Sequence, residues 1–398
     1  MSEGTIAWLL TSSALVLFMT PGLALFYGGM VRSKNVLNML MKNFFTISIV
    51  TVVWTVVGYT LAFGTDIGGF IGGLDFLGLK DTQGDALLFM VFQMMFAIIT
   101  PALISGAVAE RMKFSAWVLF TTLWALIVYP IVAHWAFAAD GWLFAWGVRD
   151  FAGGLVVHIN AGVAALALVF VLGPRKGFGA EAMRPHSLPL TLLGTGILWL
   201  GWFGFNAGSA LAADGIAINA FVTTQIAAAV AALGWVMAEW MKTGKPTTLG
   251  AASGAVAGLV AITPGAGFVS PMSAMAIGLV AGFICFAAVS LKFRFGYDDS
   301  LDVVGVHLAG GIVGSVLLGV FAQNSINEFV PDGLLFGGGG FFIKQVVAVL
   351  AVMAFTFVAS YLLARIVKAL VGLRVAEDQE TEGLDISLHE ERGYVLSE

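Results

Sequence analysis

Charge is scarce in this chain of 398 residues. Asp, Glu, Lys and Arg together make up 11% of it, whereas hydrophobic residues make up 59%. A soluble domain usually carries about 25% charged residues, so the composition excludes a soluble enzyme, a disordered chain and a coiled coil. Cysteine is scarcer still. The single Cys285 excludes an internal disulfide framework and any zinc site made of several cysteines.

Motifs for nucleotide binding and hydrolysis are also absent from the sequence. The run from Gly337 to Gly340 lacks the Lys and Ser or Thr that would complete a phosphate-binding loop. Neither a GxSxG nor an HExxH string occurs. The sequence therefore gives no support for ATP-driven transport, and we expect neither an enzyme nor a bound cofactor.

Long apolar segments and glycine are what the chain has in excess. It contains 50 glycines, and small residues let membrane helices pack closely. A bilayer core requires about 20 apolar residues per helix. We therefore predict an all-α integral membrane protein with eleven transmembrane helices. The segments are 5–30, 36–64, 86–109, 114–139, 151–172, 188–210, 217–241, 247–265, 271–291, 300–323 and 342–370.

The basic residues predict the orientation of these helices. If the N-terminus is outside and the C-terminus inside, 16 of the 19 Lys and Arg residues fall on the cytoplasmic side, as the positive-inside rule requires. Only Lys80, Arg149 and Lys344 fall on the other side. We expect a transmembrane domain over residues 1–370 and a cytoplasmic regulatory tail over 371–398, although a merely solvated tail would have the same composition.

An internal repeat links two of the segments. Val157–Val163 in the fifth and Val306–Ile312 in the tenth share a histidine and a run of small residues, and Asp150 and Asp302 precede them. The two segments are five spans apart, so they cross the membrane in opposite directions. This predicts an inverted 5+5 repeat plus one extra helix, with the functional site near the midplane.

Two histidines are the sharpest candidates for chemistry. His158 and His307 lie within apolar helices at related positions of the repeat, and ionisable residues inside membrane spans are usually functional. The alternative is a pair of core histidines satisfied by neighbours. A metal site is disfavoured because no third ligand is evident.

Aromatic residues form the second group of candidates. Phe92 and Phe96 share one face of the third segment, and Trp202, Phe205 and Ser209 share one face of the sixth. A hydroxyl beside aromatic faces can receive a small cation, although plain helix packing would give the same stripe. Asp150 could cap the fifth helix or supply negative potential.

Several longer strings carry a resemblance. They are PGLALFYGGMVRSKNV, GAVAERMKFSA, DFAGGLVVHINAG, GWFGFNAGSA, LGAASGAVAGLVAITP, DVVGVHLAGGIVG, and VGLRV followed by EGLD. With them, the chain resembles the ammonium transporter/methylammonium permease/Rhesus family from the first segment to the tail. It is most similar to the bacterial and archaeal ammonium transporters.

The resemblance implies a role for each candidate residue. It implies pore histidines at His158 and His307, a phenylalanine gate at Phe96 and Phe205, a pore-lining Trp202, and an outer substrate site of Ser209, Phe96, Phe137 and Asp150. One position departs from the family. Phe137 stands where the outer site of family members usually has a tryptophan, so we expect a weaker outer cation site.

The resemblance also implies a function and partners. It implies a multi-pass cell-membrane protein that recruits ammonium, removes a proton and passes ammonia through a hydrophobic pore, with methylammonium as an analogue. Family members are homotrimers in membrane lipid, and their cytoplasmic face engages PII-type nitrogen-regulatory proteins; no nucleic acid or metal is implied. The alternatives are an ammonium sensor that conducts little and a Rhesus-type ammonia gas channel.

Overall fold

A computed structural model of the chain describes residues 1–394. Eleven long helices match the eleven predicted segments. They are α1 Glu3–Met30, α2 Ser33–Phe63, α3 Asp85–Ile104, α4 Phe114–Phe137, α5 Gly154–Leu172, α6 Leu188–Gly208, α7 Gly215–Thr243, α8 Thr248–Ile262, α9 Pro271–Val289, α10 Val304–Phe321 and α11 Gly339–Val371. A two-stranded hairpin, Asp66–Ile67 with Ile71–Gly72, was not foreseen.

Ten of these helices are long and apolar enough to cross a membrane, and α8 is shorter, with 15 residues. The protein is thus a multi-pass membrane protein, as the composition predicted. The chain after α8 turns back at Pro264, whose carbonyl accepts a hydrogen bond from the amide of Phe151. The short helix therefore brings its end against the beginning of α5.

Glycines bring α7, α8 and α9 into close contact. A β-carbon at Gly258 of α8 would lie 2.4 Å from the carbonyl oxygen of Ala227, and one at Gly278 of α9 would lie 2.5 Å from the same oxygen. A β-carbon at Gly282 would lie equally near the carbonyl oxygen of Ala231. These contacts leave no room for a side chain, which explains the small-residue spacing in the sequence.

The two repeated segments share an unusual backbone. Each histidine lies in a π-helical turn, Gly154–Ile159 in α5 and Val304–Leu308 in α10, a form that is rare and frequent at functional sites. Asp150 caps the first turn by accepting four backbone N–H bonds, and Asp299 accepts one from Val304 at the second.

The sequence pairing of Asp150 with Asp302 is therefore wrong. Asp150 and Asp299 each lie eight residues before a histidine, so Asp299 is the counterpart. Asp302 corresponds instead to Gly153, and both have positive φ, 63° and 115°. The side chain of Asp302 forms an ion pair with Lys292 at 2.6 Å.

One end of the molecule is closed by a buried ion-pair cluster. Arg175 lies between Glu110 at 3.2 Å and Asp298 at 2.9 Å, while Arg32 also pairs with Glu110 at 2.8 Å. Arg111 is fully buried and donates to the carbonyl of Asp298 and to Ser300 Oγ. The loops of both repeats are thus joined at this end, which we call the tail face.

The tail packs on this face with two short helices, α12 Glu377–Glu382 and α13 Leu384–His389. Asp385 accepts hydrogen bonds from the amides of Leu37 and Asn38, at 3.0 and 2.8 Å, so it caps the start of a helix in another part of the chain. Leu384 and Asp385 are 0% and 2% exposed. The alternative of a merely solvated tail is therefore wrong for this segment.

Candidate functional site

A cavity of about 360 Å³ opens on the face opposite the tail. We call it the vestibule. It is lined by residues from the ends of α3, α4 and α6 and from the loop before α5, including Gln93, Phe96, Phe137, Asp150 and Ser209. All four residues predicted for the outer substrate site therefore lie around one cavity.

Two polar residues of the vestibule differ in how free they are to bind a solute. The hydroxyl of Ser209 donates to the carbonyl of Phe205 at 2.8 Å, which leaves its oxygen lone pairs available as acceptors. The carboxylate of Asp150 is 7% exposed and accepts its four bonds from the α5 backbone. Burial raises the pKa of Asp150, and these N–H donors oppose the rise. Asp150 thus acts mainly as a cap.

Two phenylalanines close the inner end of the vestibule. The ring centroids of Phe96 and Phe205 are 4.3 Å apart, with 33° between their planes. Phe92 packs on Phe96 at 5.0 Å. All three side chains are at most 1% exposed. The pair thus stands between the vestibule, which Phe96 lines, and the space that Phe205 lines.

Behind the pair lies a narrow chamber of about 10 Å³. A cavity of roughly this size holds a single water molecule. Among residues 1–394, its wall is apolar except for the rings of Trp202, His158 and His307, and none of these lining residues is a carboxylate. The chamber therefore has room for about one small molecule, and its described lining residues include no acidic counter-charge for a cation.

The two histidines meet edge to edge in this chamber. Their Nδ1 atoms are 3.3 Å apart, and their ring planes differ by 15°. His158 and His307 are 1% and 4% exposed. In a neutral pair, one Nδ1 carries the shared hydrogen and the other accepts it, so the two rings are opposite tautomers. Nε2 of His158 has no hydrogen-bond partner within residues 1–394.

Neighbouring side chains fix the orientation of His158. The ring of Trp202 stacks on it at 5.4 Å with 15° between the planes. The indole N–H donates to Thr263 Oγ1 at 2.9 Å, and that hydroxyl in turn donates to the carbonyl of Leu259. Thr263, at the end of the short helix α8, thus positions Trp202, and Trp202 in turn positions His158.

Comparison with known proteins bears on the same geometry. The family model described as Ammonium Transporter Family matches residues 7–394. The chain belongs to the Ammonium Transporter Family. It is 48% identical to "Ammonium transporter Amt1" of Archaeoglobus fulgidus, over 99% of this chain and 100% of that protein. It is 49% identical to "Ammonium transporter" of Bacillus subtilis, over 99% of each.

Solved structures agree in fold with this family member. The crystal structure of Candida albicans Mep2 superimposes with a TM-score of 0.91 at 33% identity, covering 95% of this chain and 88% of that one. A structure described as "Sensor Amt Protein" gives a TM-score of 0.90 at 30% identity, covering 97% and 98%. The family is one of membrane transporters, not of enzymes.

All eight predicted site residues of this family member line either the vestibule or the chamber. Phe137 borders the vestibule, whereas Trp135 packs elsewhere, with its indole N–H on the carbonyl of Phe70 and its ring 4.8 Å from that of Phe355. Trp135 therefore does not replace the tryptophan that position 137 lacks. His134 bonds to Ala62 and Asp66 away from both cavities.

Sequence reasoning missed two residues of the vestibule. Gln93 lies one helical turn before Phe96, and its buried Oε1 has no hydrogen-bond partner within residues 1–394. Its position on the face of Phe96 was the available signal. Arg149 also lines the vestibule. The available signal was that Arg149 is one of only three basic residues predicted to lie outside the cytoplasmic segments.

Proposed function

We propose that this protein moves ammonium across a membrane in three steps. The vestibule recruits the cation, a proton is removed, and neutral ammonia passes between the phenylalanines into the histidine chamber. Ser209 and Gln93 supply acceptors for the N–H groups of ammonium, and the rings of Phe96 and Phe137 supply π faces. These contacts support recruitment of a small cation.

Selection then follows from chemistry and not from size. Potassium and ammonium have similar radii, and carrying either charge through an apolar path is costly. Ammonium can become neutral by losing a proton, whereas potassium cannot. A path that only a neutral solute can enter therefore transports one and rejects the other.

The chamber is the observation that carries this proposal. It has room for about one small molecule, and its polar wall consists of His158, His307 and the tryptophan ring. Because the rings share a hydrogen at Nδ1, one Nε2 is an acceptor and the other a donor. A neutral pair of this kind can hydrogen-bond ammonia and take up or give back a proton.

The surroundings of the pathway complete the proposal. The vestibule faces outward and the tail face lies in the cytoplasm, because the basic residues concentrate at the tail end. The protein works as a homotrimer in membrane lipid with one path per subunit, and α12 and α13 with the neighbouring loops form the surface for a PII-type regulator. These assignments rest on family resemblance and on the charge distribution.

A sensor that binds ammonium and conducts little is the second candidate. The similarity to the structure described as "Sensor Amt Protein" favours it. Both candidates need the vestibule, but only a transporter needs an open route through the chamber. The amount of ammonium carried per protein molecule separates them.

Purified protein in proteoliposomes tests the proposal. We expect a transient current, or uptake of labelled methylammonium, that depends on protein and saturates with substrate, and no current in potassium alone. His186→Gln is the control, since His186 lies on the tail face, bonded to Val31 and Tyr394. It should transport normally, whereas His158→Ala should not. Saturable binding without uptake would select the sensor, and a potassium current would overturn the mechanism.

A further inference from the structure

Arg149 places a positive charge at the wall of a cavity that receives a cation. It directly precedes Asp150, and its side chain lines the vestibule beside Phe137 and Ser209. A binding site for ammonium would be expected to carry acidic groups there, not a guanidinium. Recruitment of ammonium, as proposed above, does not account for a positive charge at this wall.

Hydrogen bonds hold the guanidinium of Arg149 in one position. Its Nε donates to the carbonyl of Phe329 at 2.6 Å. Its Nη1 donates to the carbonyls of Phe144 and Val148, at 3.0 and 2.8 Å. The guanidinium carbon lies 4.3 Å from the centroid of the Phe144 ring. These contacts hold the charge at one point of the vestibule wall.

No carboxylate neutralises this charge within residues 1–394, since no acidic oxygen lies within 4.0 Å of it. The carboxylates that line the same cavity are Asp150 and Asp214. Asp150 is bonded to four amides, and Asp214 caps α7 through Ile216 and Ala217. Arginine stays protonated in proteins, so Arg149 adds a positive charge to the wall of the vestibule.

We propose that Arg149 is a specificity-determining residue of the entrance, which repels cations and sets the ammonium concentration at which the path is half-saturated. This inference rests on the proposed recruitment of ammonium in the vestibule. Together with the weaker π contact of Phe137, Arg149 adapts the protein to abundant ammonium. It acts on arrival of the cation and not on the later passage of ammonia.

Charge and scaffolding are separable roles for this residue. Because Arg149 bonds three backbone carbonyls, its removal also loosens the loop around Phe329. Arg149→Lys keeps the charge but loses the forked set of bonds. Arg149→Gln loses the charge and keeps a side-chain donor. Lys344→Gln is the matched control, since Lys344 lies near Gly147 but does not line the vestibule.

The half-saturating concentration of ammonium, or of methylammonium in uptake assays, is the quantity to measure in proteoliposomes. At low ionic strength we expect Arg149→Gln to lower it by about 3- to 10-fold, the size of effect of one charge at the edge of a small cavity. The maximal rate should stay unchanged. Arg149→Lys and Lys344→Gln should resemble the wild type.

Ionic strength gives an independent readout. The Debye length falls from about 30 Å at 0.01 M salt to about 3 Å at 1 M. With an impermeant salt, the difference between wild type and Arg149→Gln should therefore shrink below about twofold. A scaffolding role would leave that difference independent of salt.

Each outcome bears on one claim. If Arg149→Gln has the wild-type half-saturating concentration, or if Arg149→Lys shifts it as much as Arg149→Gln, the electrostatic role is overturned. A change in maximal rate alone would overturn it as well. If the wild type itself shows neither ammonium current nor methylammonium uptake, the proposed function fails, and this result is distinct from a failure confined to the variants.

Discussion

The two halves of the molecule carry the same backbone device and opposite charges beside it. In each half an aspartate lies eight residues before a histidine in a π-helical turn. One residue earlier, the first half has Arg149 and the second has Asp298. Arg149 lies at the vestibule wall with no ion-pair partner within residues 1–394, whereas Asp298 lies inside an ion-pair cluster with Arg175 and Arg111.

The difference shows which part of the repeat is constrained. The backbone turn and its cap orient the histidine, so both halves keep them. The preceding residue points to a different end of the molecule in each half, because the repeats are inverted. One end is an open cavity and the other is closed by paired charges. The residue types at positions 149 and 298 therefore differ with the end of the molecule that each one faces.

Exchanging the histidines for acids tests whether the halves are equivalent at the chamber, and we expect the largest effect here. A carboxylate at either position would stabilise an intact cation, so the need to deprotonate would relax. His158→Asp or His307→Glu should keep some ammonium flux and begin to pass potassium. His158→Ala or His307→Ala should lower ammonium current without admitting potassium.

Currents under ammonium alone and potassium alone, on equal amounts of inserted protein, check this prediction. If both alanine variants carry wild-type ammonium current and no acidic variant passes potassium, the pair is structural. A potassium current from only one acidic variant would show that the halves differ even at the chamber.

The equivalent positions 149 and 298 should differ sharply in stability. Asp298→Asn leaves the buried Arg111 without its carboxylate and Arg175 with Glu110 as its remaining partner, and breaking a buried pair in this way costs about 3–5 kcal/mol. Arg149→Gln should cost about 1 kcal/mol or less, since its charge has no ionic partner to strand. Unfolding of the detergent-solubilised variants measures both. Equal losses would contradict the contrast between the two ends.

Acid should weaken the tail face through the same aspartate. Burial alone would raise the pKa of Asp298, but the bonds from Arg175 and the charge of Arg111 lower it overall. A carboxylate with a lowered pKa contributes stability above its unfolded pKa and loses it as the pH falls through the folded value. The free energy of unfolding should therefore fall on the acid side, and less so in Asp298→Asn.

The tail belongs to neither half. Its deletion tests whether the two halves fold and insert into the membrane without it. Deleting residues 376–398 removes the Asp385 cap from α2, and a lost cap costs about 1 kcal/mol. We expect a folded, inserted protein with altered regulation, measured by membrane extraction and by transport with and without a PII-type protein. Loss of the truncated protein from the membrane would show that the tail is structural.

The smallest expected effect lies at Phe137, in the half that carries Arg149. Tryptophan is the best cation–π partner, and such a contact is worth about 0.5–1 kcal/mol at an exposed site. Phe137→Trp should therefore lower the half-saturating ammonium concentration by several-fold at most. In the double variant with Arg149→Gln, the two fold-reductions in half-saturating ammonium concentration should multiply, because the two free-energy changes add. An unchanged or raised value would show that another aromatic residue already serves the vestibule.

The sequence predicted the parts of this structure that depend on local composition. Apolar length predicted every long helix, and the repeated histidine string predicted that His158 and His307 occupy related positions near the midplane. It paired Asp150 with Asp302 because string similarity does not register a cap that acts through backbone geometry. The capping partner, Asp299, is visible only from its bond to Val304.

Long-range contacts were beyond the sequence for a related reason. His186 and His389 had no pattern to single them out, yet they bond to Tyr394 and Asn38 across the tail face. Asp385 caps a helix that begins about 350 residues earlier in the chain. Periodicity and motifs describe neighbours along the chain, and these contacts join residues that only the folded tail brings together.

The shared hydrogen between the histidines gives proton transfer through the pair a direction that depends on which tautomer each ring holds. If the pair carries a proton under the proposed function, a proton that arrives at the unprotonated Nε2 of one ring would drive the shared hydrogen across the Nδ1–Nδ1 contact and release another proton from the far Nε2. The rings have then exchanged tautomers, so the next proton can pass only in the reverse direction until the pair is rewound. Under the proposed function, two successive protons would therefore not cross this contact in the same direction unless the tautomers first exchange back.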